Sequence, residues 1–359
     1  MMQDNNNTAS ISTKAPFLSL FESLQYGELH LKQDVQANFF GIIAIHNTTR
    51  GPSLGGCRFI PYSEPQNAII DALKLAQGMS YKAAISDLPL GGGKSVIIYS
   101  DKIKDRRKIF ELFGDFVDSL GGRYITAEDS GTHVTDMDII FERTAYVTGH
   151  SHIAFATHDP SPLTALGVVT GMQAAAQHHL QRSSLAGLHI AIQGVGNVGF
   201  RIAQLCQHYG AKVTVCDSNP KALQHAKEHL KVDICAVDQI HSIPCDIFAP
   251  CALGNAINTQ TVHKVNAKIV AGAANNQLES IEMARILKQK GILYAPDYAI
   301  NAGGLIHVAA QYLHQDEAQA REKVLKIYDT LQSIFTQSDT TGLSTAEIAN
   351  QIAEQRLQA

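Results

Sequence analysis

The stretch "LHIAIQGVGNVGFRIAQLC", Leu188 to Cys206, decides the fold. Its apolar opening, through Gln193, reads as a buried strand, and its second half carries apolar residues at helical spacing. Between them stand Gly194, Gly196 and Gly199, in the order G-x-G-x-x-G. Gly194 permits the tight turn, Gly196 lets backbone approach a pyrophosphate, and Gly199 lets helix and strand pack closely. Val195, Asn197 and Val198 complete a turn whose free N–H groups, at a helix start, favour a phosphate. Asp217 lies 23 residues beyond Gly194, closing the next strand-like stretch "AKVTVCD". A carboxylate there accepts hydrogen bonds from the adenine ribose and opposes a 2′-phosphate, so the pattern predicts NAD. Lys221 is the nearest basic residue on which an NADP alternative would rest.

The stretches around this motif continue it. "CDIFAPC", "AKIVAGAAN" and "GILYAPD" are short apolar strands separated by helical or polar segments, the alternation of a parallel sheet wrapped by helices. This predicts a doubly wound Rossmann domain over about 149–330. Residues 17–148 mix strands such as "FFGIIAIHN" with amphipathic helices at Glu64–Ala84 and in "RKIFELFGDFVDSL". They form a first α/β domain, expected to carry the substrate groups and the oligomer contacts. Residues 1–16 read as a disordered polar tail. The chain from Ile306 to Gln358 reads as helical, and its end, about 331–359, is expected to pack back on the first domain.

Composition narrows the function classes. Hydrophobic residues make up 45% and charged residues 17%, with a formal charge of −4 and no long basic run. That excludes nucleic acid or an anionic membrane as the main partner. No apolar run reaches the ~20 residues that span a bilayer, and the N-terminus lacks the apolar centre of a secretory signal. The six cysteines form no CxxC pair and suit reduced thiols in the cytoplasm. Sixteen histidines raise a metal hypothesis, but the densest group, His150, His152 and His158, fits no zinc spacing; no metal is expected.

A second glycine-rich stretch, "LPLGGGKSV" (Leu88–Val96), resembles a nucleotide loop. A Walker loop needs glycine six positions before its lysine, and that position is Leu88. Lys94 is therefore not read as a phosphate lysine. Lys82 stands twelve residues upstream, at a helix end. If the two lysines converge, each loosens the other's proton, leaving one neutral as a base while the other holds an anion. The glycines would then let backbone lie against a small substrate. Spacing alone favours the plainer reading, two surface lysines beside a turn.

Nine segments in order tip that balance. They are "GPSLGGCRF", "GMSYKAA", "LPLGGGKSVII", "GRYITAEDSGT", "DPSPLTALGV", "QGVGNVG", "DIFAPCALG", "AGAANNQL" and "YAPDYAINAGG". Together they resemble the glutamate/leucine/phenylalanine/valine dehydrogenases, most nearly the leucine or valine enzymes. The resemblance implies NAD-dependent oxidative deamination of an L-amino acid by a homo-oligomer. By it, Lys82 binds the substrate carboxylate, Lys94 is the general base that activates water, and Asp129 shuttles a proton to and from the amine nitrogen. It places Thr164, Cys251, Ala252, Ala274, Asn275 and Asn301 around the cofactor, with Asn275 and Asn301 at strand ends and Asn275 also near substrate. Leu54, Gly55, Gly56, Met79, Ala127, Leu305 and Val308 fall around the substrate. Glutamate dehydrogenases carry a lysine where this chain has Leu54, so a distal carboxylate would lack its partner. An apolar pocket suits leucine, valine or isoleucine. The segments "AGAANNQLE" and "GILYAPDYAINAGGLI" also resemble tryptophan dehydrogenase, which keeps an aromatic substrate open, and a silent NAD-binding regulator is the non-enzymatic alternative. Two departures stand out: His307, where leucine enzymes carry asparagine, and His158, where they carry glycine.

Overall fold

Two sheets organise the chain in this computed structural model, which describes residues 16–24, 26–153, 159–252 and 254–358. The polar tail and His158 lie outside the described residues. The first sheet comprises β1 (Glu28–Asp34), β2 (Phe39–Asn47), β3 (Ser53–Ile60), β4 (Gly91–Ile98) and β5 (Tyr124–Glu128), in the order β1-β2-β4-β3-β5. The β1–β2 and β2–β4 pairs are antiparallel; β4–β3 and β3–β5 are parallel. Helices α1 (Pro16–Ser23), α2 (Pro65–Ile85), α3 (Arg106–Asp118) and α4 (Val134–Phe141) accompany it.

The second sheet is wholly parallel. It runs β11-β10-β9-β6-β7-β8, built from β6 (His189–Gln193), β7 (Lys212–Cys216), β8 (Asp233–Ile234), β9 (Cys245–Pro250), β10 (Ala267–Val270) and β11 (Leu293–Tyr294). The strand order reverses between β6 and β9, which creates the crevice of a doubly wound sheet beside the turn after β6. Its helices are α5 (Ser161–Leu180), α6 (Asn197–His208), α7 (Pro220–His229), α8 (Ile281–Gln289) and the short α9 (Asp297–Ile300). Four more follow: α10 (Gly303–Tyr312), α11 (Glu317–Leu325), α12 (Ile327–Thr341) and α13 (Thr345–Gln358). The two-domain α/β architecture with a Rossmann-type sheet is thus present.

The small residues of α2 explain how the first sheet is covered. Ala68, Ala72, Ala76 and Ser80 form a buried stripe that allows the helix to lie close to β2 and β4. Phe110, Phe113, Tyr124 and Phe59 fill the opposite face, under α3. Of the segment 331–359, the part in α12 lies against α5 rather than on the first unit, whereas α13 runs along α2. The N-terminal half of α13 is fastened to the second unit. Thr345 Oγ1 donates to Tyr294 O at 2.6 Å, and Tyr298 Oη donates to Asn350 Oδ1 at 2.8 Å. Its C-terminal half grips α2: Tyr81 Oη donates to Glu354 Oε1 at 2.8 Å, and Arg356 donates to the carbonyls of Ala84 and Ile85 at 3.0 and 2.9 Å. These carbonyls are among the orphan acceptors of a helix C-terminus, so Arg356 caps the helix that carries Lys82.

Candidate active site

The glycines before Lys94 do not form a loop. Gly91 to Ile98 is strand β4, hydrogen-bonded on both sides in the middle of its sheet. Nor is the space beside these glycines open. A Cβ on Gly91 would meet Asn47 O at 1.8 Å, one on Gly92 would meet Ser80 N at 2.0 Å, and one on Gly93 would meet the Tyr124 ring at 2.8 Å. The missing side chains make room for neighbouring strands, for α2 and for a core tyrosine. Alternation along the strand puts Gly92, Lys94 and Val96 on the face covered by α2, where Val96 packs with Ala72 and Leu73. Lys94 therefore emerges beneath the end of the helix that carries Lys82.

Lys94 is buried, 4% exposed, and its Nζ donates to the Asp129 carboxylate. Gly56 admits that carboxylate, since a Cβ there would meet Asp129 Cβ at 2.8 Å, and Gly55 lies against Gly93 O. Burial, seconded by the nearby Arg58 guanidinium, pushes the Lys94 ammonium down to about 7. The charge of Lys82 acts in the same direction but weighs less than burial and Arg58. Mutual repulsion of the lysines, expected from the sequence, is thus secondary to desolvation. The same cause brings Lys82 down to about 8, opposed by Asp297. Lys82 Nζ reaches across to the second unit and donates to Asn275 Oδ1 at 3.1 Å.

Asn301 does not end a strand; it closes α9, the short helix after β11. Its Nδ2 donates to Asn275 Oδ1 at 2.9 Å and to Ala273 O at 3.0 Å, while its Oδ1 is buried without a hydrogen-bond partner. An orphan acceptor at that place suits the N–H of a bound ligand. Thr164, in the first turn of α5, donates to Pro160 O at 2.9 Å and sits against Gly304. Leu54 and Ala127 are buried on β3 and β5, Leu305 is buried on α10, and Met79 and Val308 pack partly buried against the same core cluster as Leu54. His307 is buried one position before Val308, and Gln311 Nε2 stands 3.0 Å from its Nε2. Gln311 in turn accepts from Thr148 at 3.2 Å, joining α10 to the first unit.

The three glycines of the turn after β6 differ in their surroundings. Gly194 has φ +97 and lies against Ala252 N, at 2.8 Å from a Cβ placed there. A Cβ on Gly199 would strike Gly194 O at 2.0 Å. A Cβ on Gly196, by contrast, would meet nothing within 4 Å beyond its own chain neighbours. It is the N-cap of α6 and lines an open cleft of about 590 Å³ with Val195, Asn197, Asn219 and Lys221. Asp217 shapes that cleft by accepting from Val195 N and Asn219 N, each at 2.8 Å. Cys251 N donates to Gln193 O at 2.7 Å and Ala274 N to Pro250 O at 2.9 Å, which closes the strand ends around the same crevice. A phosphate-bearing dinucleotide fits these groups: open space over a glycine, a helix N-terminus and an acid at the next strand end.

The sequence reading left Arg58 without a role, although it falls inside "GGCRF". Its side chain stands behind Asp129 and pairs with Asp71 of α2. Among the described residues no group of three or more His, Cys, Asp or Glu is placed to hold a metal ion, and no helix is long and apolar enough to cross a membrane.

Comparison with known proteins bears on this site. Residues 26–146 match the family model "Glu/Leu/Phe/Val dehydrogenase, dimerisation domain", and residues 157–221 and 218–358 match "Glutamate/Leucine/Phenylalanine/Valine dehydrogenase". A leucine dehydrogenase of Thermoactinomyces intermedius is 44% identical over 94% of this chain and 92% of its own. A phenylalanine dehydrogenase of Bacillus thermotolerans is 40% identical over 99% of this chain and 94% of its own. The crystal structure of L-tryptophan dehydrogenase from Nostoc punctiforme superposes with a TM-score of 0.84 at 38% identity, covering 95% of this chain and 98% of that one.

Proposed function

The chain belongs to the Glu/Leu/Phe/Val dehydrogenase family, and from that premise we propose that it catalyses NAD-dependent, reversible oxidative deamination of a branched-chain L-amino acid. Leucine, valine or isoleucine would give the 2-oxo acid and ammonia. One observation carries the reading: Lys94, buried and with its proton loosened, is held on the Asp129 carboxylate while Lys82 spans the cleft.

In this reading the substrate carboxylate lands on Lys82, and its negative charge restores the ammonium that burial weakens. Asp129 takes a proton from the substrate ammonium. NAD held by the N–H groups at the start of α6, with Asp217 at its adenine ribose, would supply the acceptor for the hydride that leaves the substrate Cα. Lys94, neutral above about pH 7, removes a proton from water as the water oxygen adds to the imino carbon. Asp129 returns its proton to the nitrogen, then takes the carbinolamine hydroxyl proton as the C–N bond breaks and the carbonyl forms, and passes it to the departing amine, which leaves as ammonium. Water supplies the oxygen, the nicotinamide cofactor would supply the two-electron oxidant, and the proton on Lys94 is released to solvent.

Leu54, Ala127, Leu305 and Val308 would form an apolar wall for the side chain, where a distal carboxylate finds no cation. Asp217 supports NAD over NADP. The likeness to phenylalanine and tryptophan dehydrogenases supports a second reading, the same chemistry on an aromatic amino acid. The dimerisation-domain model over 26–146 supports a homo-oligomer built through the first unit. The six free cysteines suit a reducing cytoplasm. The deciding experiment follows NADH formation at alkaline pH with a panel of L-amino acids. Fastest turnover of leucine, valine or isoleucine is expected. Preference for phenylalanine or tryptophan would select the second reading, and NAD binding without turnover of any amino acid would leave a regulator.

A further inference from the structure

Behind the Lys94–Asp129 pair runs a line of alternating charges that the chemistry above does not use. Arg58 lies on β3, on the face covered by α2, and its Nη1 donates to Asp71 Oδ2 of α2 at 2.8 Å. The phenol of Tyr62 donates to the same oxygen at 2.6 Å. Arg58 Nε is buried, makes no hydrogen bond, and stands 3.7 Å from Asp129 Oδ1, just outside bonding reach. The order is Tyr62, Asp71, Arg58, Asp129, Lys94. A buried guanidinium N–H without an acceptor is costly, and the carboxylate oxygen that stands opposite it, Asp129 Oδ1, is held in place by the N–H of Ser130 at 2.5 Å.

We infer that Arg58, braced by Asp71 and Tyr62, is a positioning residue that holds Asp129 against Lys94 and sets the pH at which the pair works. This rests on the proposed roles of Lys94 and Asp129. A fixed positive charge on one side of Asp129 keeps it a carboxylate and makes a second positive charge on Lys94 harder to hold. Asp71 does the reverse: it partly cancels Arg58 and favours the proton on Lys94. The charged groups on the Lys94 side of the sheet are Arg58 of β3, Asp71 and Lys82 of α2, and Asp129 after β5; the Cys57 thiol, also close to Lys94, lies on the other face, in the core under α3. Of the charged groups, Arg58 and Asp71 can be altered without touching a group that meets the substrate or the reacting atoms.

The two members of the pair therefore have opposite signatures. In Arg58→Gln the acidic limb of kcat/KM for deamination should move to higher pH by about one unit, and Arg58→Lys should restore part of it. In Asp71→Asn the limb should move to lower pH by about half a unit. The same midpoint can be read without turnover, from the pH dependence of Lys94 acetylation by acetic anhydride, quantified by peptide mass spectrometry. Opposite shifts in that readout support the positioning role even if no amino acid is turned over, an outcome that would refute the proposed deamination alone. Profiles that superimpose on the wild type, or that move in the same direction in both variants, would overturn it; loss of thermal stability alone would mark Arg58 as structural. Should Arg58→Gln fail to fold, the direction seen in Asp71→Asn decides.

Discussion

Two glycine-rich stretches of this chain look alike in one dimension and differ in three. In Gly91–Gly93 every missing side chain is replaced by protein: a strand carbonyl, the backbone of α2, the ring of Tyr124. In Gly194–Gly199 the outer two glycines are filled in the same way, but the middle one opens on a cleft. The first stretch delivers a side chain, Lys94, from a rigid central strand. The second delivers backbone, the N–H groups at the start of α6. Glycine thus serves close packing in one place and ligand access in the other, and the space beside each Cα decides which.

Substitutions can break this contrast apart. The largest effect is expected from Lys94→Ala, which should lower kcat by about 10²–10⁴-fold, the worth of a general base. Fluorescence titration should still show NADH bound with unchanged affinity; a parallel loss of binding would merge the two sites. Next comes Gly92→Ala. Its Cβ meets the backbone nitrogen of Ser80, which cannot turn aside, so overpacking should cost about 1–3 kcal/mol in chemical denaturation. Because Lys82 lies two residues beyond Ser80, KM for the amino acid should rise as well. Gly196→Ala should behave in the opposite way. With nothing near its Cβ, stability should stay within about 0.5 kcal/mol of wild type, while Kd for NAD rises about tenfold, or 1.4 kcal/mol. A destabilised Gly196→Ala that binds NAD normally would erase the distinction. The smallest effect is expected from Asp217→Ser. It should reduce the NAD:NADP preference in kcat/KM, and because Asp217 also ties Val195 N and Asn219 N, a drop of about 1 kcal/mol in stability should accompany it.

The second stretch was legible in the sequence because its signal is local. Strand, glycine spacing, helix and acid follow one another within thirty-odd residues, and each element supports the next. The first stretch was not. Its apolar end, from Ser95, has the character of a strand, but three glycines have low strand propensity and no alternation, so nothing in Gly91–Gly93 announces the start of a central strand; β2, β3 and α2 impose it. The lysine pair was readable as a pair, through family likeness, but not its electrostatics, since burial dominates and burial depends on what covers the site. Arg58 and Asp71 were legible only as letters. They meet because one face of β3 looks at one face of α2, and no spacing rule links residues thirteen positions apart on different elements. Asn301 was read near the crevice, yet its unpartnered Oδ1 depends on the fold of Ala273 to Asn275 around it.

One helix has a mechanical consequence. α13 is bolted to the second unit by Thr345 and Asn350 and to α2 by Glu354 and Arg356. A rod fixed at both ends to two bodies opposes their sliding past one another, and a swing that opened the cleft would turn about this axle. The last turn of the chain, far from Lys82 in sequence, then works as a bearing for it. A tag or truncation at the C-terminus would loosen the hinge, and its mark would be altered cleft closure rather than altered chemistry.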